Sequence, residues 1–236
     1  MPRGGGLRID ATRRRLDGLR RNQRSGERVV QLSSQSFVTH QPIPARCAFG
    51  QPGTDGPFAF AGNRSPHLAW SDVPQGTRSF ALACIDVDVP SRGDDVNKPG
   101  RIVPADLPRV EFTHWLMIDI DAGVRELIEG ACGSGIVAHG KQQPPGPPGS
   151  RQGINDYTHW FADDAGMAGD YYGYDGPCPP WNDSIVHHYG FHLYALDLGR
   201  LDLPARFNLA DLRRASVGHV LAQAVCVGTY SMRATS

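Results

Sequence analysis

The sequence predicts a mostly β protein, and two features of its 236 residues support that prediction. It contains 28 glycines and 19 prolines, which favour short strands joined by turns over a helical bundle. Its apolar residues form runs of strand length, as in Phe80–Ile85, or alternate with a period of two, as from Tyr189 to Leu196. With 40% hydrophobic and 20% charged residues, the composition is that of a globular protein with a substantial core.

The first part of the chain differs from the rest in composition. Residues 1–28 are rich in arginine and poor in apolar side chains. Burial of so little apolar surface cannot offset the entropy lost when a segment becomes ordered. We therefore predict a basic, flexible leader over residues 1–28, followed by a single domain over residues 29–236.

Charge and cysteine content limit the class of protein. The formal net charge is +0 and the pI is about 7.1, which gives no support to a nucleic-acid or anionic-membrane partner. The five cysteines have no zinc-ligand spacing and suggest reduced thiols in a reducing compartment. No apolar stretch is long enough to span a membrane, and the start lacks the apolar core of a secretory signal. We predict a cytoplasmic protein with no transmembrane segment, and nothing in the sequence implies a cofactor.

The first half of the domain contains the strongest predicted strand. From Val29 onward the pattern is β-like, with a short early strand at Phe37–Val38 and an apolar ladder from Phe58 to Trp70. The run Phe80–Ile85 predicts a fully buried strand. The long loop that follows, Ser91–Glu111, is of a length that is usually functional or mobile in a compact domain.

The second half is predicted to contain three more strands and two short helices. The strands are Phe112–Ile120, Tyr189–Leu196 and Val225–Tyr230. One helix begins after Asn208, a residue that can cap it, and carries Leu209 and Leu212. The second helix rests on a spacing of i, i+3 and i+4 in Val217, Val220 and Leu221.

Two carboxylates follow the central strand. Asp86 and Asp88 lie at i and i+2 and are followed by Pro90, so in an extended segment both carboxylates point to the same side. Because they repel each other, they need cations, protons or imidazolium groups nearby. The alternative is a solvated strand end whose acids face water.

Two histidines and one rigid segment are candidate partners of these acids. His114 lies near the start of one predicted strand and His187 at the entrance of another, although a lone histidine there is more often a satisfied core or edge residue. The segment Asp170–Pro180 is rich in glycine, proline and tyrosine, and its rigidity suits the wall of a pocket.

Several motifs in this order resemble the phosphatidylethanolamine-binding protein family, and its bacterial Raf-kinase-inhibitor-like branch in particular. They are D-x-D-x-P at Asp86–Pro90, T-H-W at Thr113–Trp115, Y-x-G-P-x-P-P at Tyr174–Pro180, and the strand start His187–Tyr189. The resemblance extends from about residue 53 to the end of the chain. It implies an antiparallel β-sandwich with short C-terminal helices and a small anion pocket at one end of the strands.

The resemblance also implies which residues form the pocket. Carried over position by position, they are Asp86, Asp88, Pro90, His114, Gly176, Pro177, His187 and Tyr189. Next to the acids, His114 and His187 would have raised pKa values. An imidazolium N–H, the Tyr189 hydroxyl and backbone N–H groups around Gly176 would then bind a phosphate or carboxylate.

The sequence departs from the family pattern at three positions. Val87 and Val89 replace the usual proline and alanine, and His188 replaces an arginine after the pocket histidine. The pocket residues are retained, whereas any role of that arginine in binding a partner is in doubt.

The function that this resemblance implies is non-enzymatic binding of a small anion or phosphate-bearing headgroup, with modulation of partner proteins such as kinases or proteases. Two alternatives stay open at this point. One is a metal-dependent hydrolase that uses the Asp and His cluster, although H-E-x-x-H is absent. The other is a protease inhibitor that acts through the loop 91–111. The sequence does not indicate an oligomeric state.

Overall fold

The fold is built from antiparallel sheets with little helix. A computed structural model describes residues 29–233, so the predicted leader over residues 1–28 lies outside the described part of the chain. In chain order the strands are β1 (Gln31–Ser33), β2 (Gly50–Gln51), β3 (Ala59–Phe60), β4 (Leu68–Ser71), β5 (Ser79–Pro90), β6 (Arg109–Asp121), β7 (Glu126–Leu127), β8 (Arg151–Gln152), β9 (His187–Leu196) and β10 (Val220–Tyr230). The α-helices are α1 (Tyr157–Trp160) and α2 (Leu209–Ala215), and Ala45–Cys47 forms a 3-10 turn. The predicted mostly β, antiparallel fold is confirmed.

The central sheet brings three strand ends to one edge. Its strand order is β10-β9-β5-β6-β8, and neighbouring strands are antiparallel. Asp86 near the end of β5 lies opposite Phe112 near the start of β6 and opposite Tyr189 near the start of β9. Side chains from three distant parts of the sequence therefore meet beyond this edge.

Two apolar layers hold the central sheet. The sheet β1-β4-β7 covers one face, where Trp70 of β4 packs edge-on against Phe80 of β5 with ring centroids 5.3 Å apart. On the other face, Leu201, Phe207 and Leu212 are buried against the outward residues of β5 and β6. Full burial of each such side chain contributes roughly 1.5–3 kcal/mol, so both layers stabilise the sheet that positions the strand ends.

The predicted helix with an Asn208 cap is present as α2. The Asn208 side chain accepts a hydrogen bond from the backbone N–H of Asp211, and the Asp211 side chain accepts one from the Asn208 N–H. This reciprocal capping box satisfies backbone donors that the helix itself leaves unpaired.

Two predicted elements are wrong. The helix proposed from Val217, Val220 and Leu221 is a turn followed by β10, because Gly218 adopts a φ of 80° and β9 offers an edge for pairing. Phe37 is buried and its ring centroid lies 5.5 Å from that of Phe191, but it lies in a loop and the early strand is β1 instead.

The described helices include none that is long and apolar enough to cross a membrane. All five cysteines are free thiols, and all but Cys178 are buried. Cytoplasmic location stays a prediction.

Candidate ligand-binding site

A cavity of about 510 Å³ opens at the edge where β5, β6 and β9 meet. Four of the predicted site residues line it, namely Asp86, Pro90, His114 and His187. The walls are mainly apolar and include Phe49, Phe112, Tyr157, Trp160, Trp181 and Met232. We call Asp86, His114 and His187 the polar cluster, because these three ionisable residues come together where β5, β6 and β9 meet; Arg92 and Asp164 line other parts of the cavity.

The two carboxylates after the central strand do not act as a pair. The pairing of β5 with β6 shifts register between Asp86 and Val89, and such a bulge bends the strand and redirects its side chains. Asp86 is buried, whereas Asp88 accepts a hydrogen bond from the His188 backbone N–H and contacts His188 Nδ1, both at 2.8 Å. Asp86 and Asp88 therefore have different partners, and Asp88, predicted as a pocket residue, is not among the described residues that line the cavity.

His187 lies between two carboxylates. Its Nδ1 is 2.8 Å from Asp86 Oδ2, and its Nε2 is 3.1 Å from Asp183 Oδ2. Burial alone would lower the pKa of His187, but the hydrogen bonds to Asp183 and Asp86 outweigh it and raise the pKa to about 9. The raised pKa that the sequence predicted for His187 is confirmed.

Asp183 is in turn held by an arginine. Arg109 donates to both of its carboxylate oxygens, at 2.6 and 3.1 Å. Burial would raise the pKa of Asp183, but the hydrogen bonds from His187 and Arg109 more than compensate and lower it. The result is a chain of alternating charges that runs from Arg109 through Asp183 and His187 to Asp86.

His114 is held by backbone instead. Its Nδ1 lies 2.8 Å from the carbonyl oxygen of Asp175, and a carbonyl only accepts, so Nδ1 carries the hydrogen. Its Nε2 makes no hydrogen bond within the described part of the chain and is open to the cavity. Burial lowers the pKa of His114 despite the nearby Asp86 carboxylate, so the raised pKa predicted for this histidine is wrong.

A buried polar network fixes the backbone that holds His114. The Asp175 carboxylate accepts hydrogen bonds from Asn63 at 2.7 Å, from Lys141 at 2.6 Å and from Asn155 at 2.9 Å. Asp175 is buried and the Lys141 side chain is only 9% exposed, so the amide donors complete the hydrogen bonding that such an ion pair needs. The carbonyl that orients the His114 ring is therefore rigidly placed.

Gly176 and Pro177 are not among the described residues that line the cavity. The Gly176 N–H donates to Asn63 Oδ1 at 2.8 Å, and a Cβ at this position would collide with the Cys47 carbonyl. The Pro177 carbonyl accepts from the backbone N–H of Phe49. Both residues therefore lie outside the cavity lining. The prediction that the Gly176 N–H binds a ligand is wrong, because Asn63 already accepts its hydrogen bond.

Tyr189 is fully buried, and its hydroxyl has no hydrogen-bond partner in the described part of the chain. The ring packs edge-on against His114, with centroids 5.1 Å apart. Burial, with a smaller contribution from the nearby Asp86 carboxylate, raises the pKa of Tyr189 well above its usual range. The hydroxyl is therefore a neutral donor beside the polar cluster.

Sequence reasoning missed Arg109, Asp183 and Asp175. Asp183 lies four residues before His187, but that spacing has no meaning until the fold of the intervening segment is known. The predicted loop Ser91–Glu111 includes Arg109, whereas Arg109 is the first residue of β6. Asp175 lies within the predicted rigid segment and gave no separate signal.

Comparison with known proteins identifies the family. The sequence profile described as "Phosphatidylethanolamine-binding protein" matches residues 33–231. The chain belongs to the phosphatidylethanolamine-binding protein family. Within this family, it is 31% identical over 206 residues to a UPF0098 protein of Aquifex aeolicus, covering 87% of this chain and 91% of the relative. It is 32% identical to UPF0098 protein YbhB of Escherichia coli, covering 74% of this chain and 82% of YbhB.

Solved structures of the phosphatidylethanolamine-binding protein family share the fold. YbcL of Escherichia coli superposes with a TM-score of 0.61 at 26% identity, covering 86% of this chain and 98% of that structure. CT736 of Chlamydia trachomatis, described as a phosphatidylethanolamine-binding protein homologue, superposes with a TM-score of 0.58 at 27% identity, again covering 86% of this chain and 98% of that structure. The family resemblance and the fold predicted from the motifs are confirmed.

The two alternative functions gain no support. Within residues 29–233, no group of three or more His, Cys, Asp or Glu side chains is arranged to hold a metal ion. Inhibition of a protease through the loop 91–111 and modulation of a kinase or protease stay predictions.

Proposed function

We propose that this protein binds a small molecule bearing a phosphate or similar oxyanion in its cavity, without turning it over. The observation that carries the proposal is the polar cluster at the edge of the central sheet. It presents the open Nε2 of His114 in a mainly apolar cavity of about 510 Å³. Cavities of this kind, with few and well-placed polar groups, are typical of small-molecule sites.

The electrostatics of the polar cluster permit an anion. The Asp86 carboxylate alone would repel one, but His187 lies 2.8 Å away and carries a compensating positive charge. The Nε2 of His114 is the atom that would then hydrogen-bond an anionic oxygen. Hydrogen bonds to an ionised group are typically about twice as strong as neutral ones.

Binding at His114 requires a shared proton. Because Nδ1 already donates to a carbonyl, Nε2 donates to an oxyanion only when the ring is protonated. If the ring stays neutral, Nε2 accepts a proton carried by the ligand. In both cases the complex holds one proton between Nε2 and the ligand oxygen.

The absence of turnover is supported by the state of the candidate nucleophiles. Burial raises the pKa of the Cys178 thiol to about 12, and it raises that of the Tyr189 hydroxyl well above its usual range. Neither group ionises near neutral pH, and the thiolate is the reactive form of cysteine. These groups suit a binding site better than covalent catalysis.

The direct test is calorimetric titration of the full chain with O-phosphoethanolamine and, separately, inorganic phosphate. Replacement of a group that hydrogen-bonds a charged ligand typically costs about 1.5–3 kcal/mol, so His114→Phe should weaken binding roughly 10- to 100-fold. His192→Phe is the matched control, because His192 lies on β9 of the same sheet and is not among the described residues that line the cavity. Equal affinities in the wild type and His114→Phe would reject the proposal.

The proposed proton sharing gives a second test. Above the lowered pKa of His114, affinity should fall with rising pH, by at most about tenfold per unit. The measurement is the same titration at several pH values between 6 and 8. His114→Phe reports the part of the slope that comes from ionisation of the ligand, so an identical slope in this variant would contradict the role of His114.

A further inference from the structure

We propose that Asp183 and Arg109 hold His187 as a permanently charged partner of Asp86, and that anion binding at His114 depends on this pair. Neither Asp183 nor Arg109 is among the described residues that line the cavity. The inference rests on the proposed function and assigns it two positioning residues outside the cavity.

The first step is the hydrogen bonding of His187. The residue is fully buried, and each of its ring nitrogens lies within 3.1 Å of a carboxylate oxygen, from Asp86 on one side and Asp183 on the other. An ionised carboxylate only accepts hydrogen bonds, so both ring nitrogens must carry a hydrogen. The ring is then an imidazolium with no N–H left for a ligand.

The second step is the anchoring of Asp183. The Arg109 guanidinium donates two hydrogen bonds to the Asp183 carboxylate. It also donates to the backbone carbonyls of Asp88 at 2.9 Å and Pro104 at 2.8 Å. These four acceptors come from three separate segments and fix the guanidinium in place. Bidentate pairs of arginine with carboxylate are geometrically specific, so the position of Asp183 is defined as well.

The third step is the charge balance around His187. Two positive and two negative groups alternate along the chain Arg109–Asp183–His187–Asp86, so the assembly is neutral. The side chains packed around the polar cluster include the buried phenols of Tyr157 and Tyr189, for which burial disfavours charge. Arg92 and Asp164 also line the cavity, but Arg92 is exposed and lies 3.4 Å from Asp94, its ion-pair partner. None of them replaces the lost charge if His187 becomes neutral.

Loss of the positive charge on His187 would affect Asp86, which lines the cavity. With a neutral His187, the Asp86 carboxylate would face an incoming oxyanion without compensation and repel it. Asp183 and Arg109 therefore support anion binding from outside the cavity, by keeping the proton on His187.

The test follows His187 and ligand affinity in the same samples of the full chain. Imidazole ¹⁵N resonances report protonation of each ring nitrogen, and O-phosphoethanolamine titration reports binding. In the wild type both His187 nitrogens should stay protonated at pH 7.5. In Asp183→Asn the titration midpoint of His187 should fall by about 2.5 pH units, from about 9 to about 6.5, and affinity at pH 7.5 should then drop about tenfold relative to the wild type. That ratio should shrink at pH 6, where His187 regains its proton.

Two further variants separate positioning from general damage. Arg109→Met with Asp183→Asn removes both charges together, which avoids an unpaired buried guanidinium, and should show the same loss and the same partial recovery at pH 6. Glu111→Gln is the matched control, because Glu111 lies on the same strand and pairs bidentately with Arg213, at 2.7 and 2.9 Å, on the surface. It should change neither readout.

Two results would overturn the inference. One is an unchanged His187 titration in both Asp183 variants, and the other is a shifted titration with unchanged affinity. If the wild type itself binds neither O-phosphoethanolamine nor phosphate, the proposed function fails, while the His187 titration still decides whether Asp183 and Arg109 hold its proton.

Discussion

His114 and His187 lie in one polar cluster but bind protons with different strength, because their ring nitrogens have different partners. His187 meets a carboxylate at each nitrogen, and its pKa rises to about 9. His114 meets one carbonyl and the open cavity, and burial lowers its pKa. The same residue type thus serves as a fixed charge at one position and as a proton-sharing ligand contact at the other.

Gly176 gives a prediction at the scale of one residue. A Cβ there would collide with the Cys47 carbonyl, and backbone cannot move aside as a flexible side chain can. Gly176→Ala should lower the free energy of unfolding by about 1–3 kcal/mol, as overpacking of a tight site does. Urea denaturation measures the change. Gly56→Ala is the control, since a Cβ at Gly56 has no heavy atom within 4 Å and should cost much less. If Gly176→Ala is as stable as Gly56→Ala, the backbone around Gly176 adjusts to the added Cβ and the prediction is wrong.

At the scale of elements, the segment after the rigid glycine–proline stretch connects the loop that follows β5 to the polar cluster. The Asn182 amide donates to the carbonyls of Asp95 at 2.8 Å and Arg101 at 3.1 Å and accepts from the Asn97 N–H at 3.0 Å. Its neighbour Asp183 contacts His187. One short segment therefore holds both the loop at the rim and the charge chain behind the cavity.

Asn182→Ala tests this connection. Within the described chain the Asn97 N–H hydrogen-bonds only to the Asn182 side chain, so the substitution should make the amides of residues 93–101 exchange with deuterium at least about tenfold faster. Stability should fall by roughly 0.5–1.5 kcal/mol, because the Asp95 and Arg101 carbonyls lose a hydrogen bond that water only partly replaces. Hydrogen exchange resolved by mass spectrometry measures the effect. Asn208→Ala, which removes the cap of α2, should accelerate exchange in that helix and leave the loop unchanged. Loop exchange at the wild-type rate in Asn182→Ala would contradict the assignment.

At the scale of the whole molecule, the buried charge chain makes stability depend on pH. The folded-state pKa of His187, about 9, lies above the ordinary histidine value of 6.5, so its contribution is complete below pH 6.5 and is lost as the pH rises through 9. Between pH 6.5 and 8.5 the free energy of unfolding should fall by about 2 kcal/mol from this group. His114 has the opposite sign, since its lowered pKa reduces stability only as the pH falls below its ordinary range.

Urea denaturation at pH 6.5 and 8.5 measures this loss. The window stops short of pH 9, where buried thiols such as Cys47, with a pKa raised to about 12, begin to contribute through ionisation of the unfolded chain. The variant His187→Gln should lack most of the pH dependence. A wild-type stability that is flat across the window, or equally pH-dependent in His187→Gln, would refute the assignment of the charge to His187.

Much of the fold was predictable because its signals are local. The buried runs and alternating patterns that became β5, β6 and β9 depend on side chains a few residues apart, and so does the Asn208 cap of α2. Where a local pattern failed, at Val217–Leu221, a glycine with positive φ and a neighbouring strand decided the outcome.

The sequence by itself determined the family and the strands that became β5, β6 and β9, and it predicted that Asp86, His114 and His187 meet at one edge. Only the tertiary structure decided which atoms pair there, because His187 meets a carboxylate 101 residues away and His114 a carbonyl 61 residues away. Those contacts, and not the residue types, set the protonation of each histidine, since a pKa depends on burial and on the atoms that surround the group.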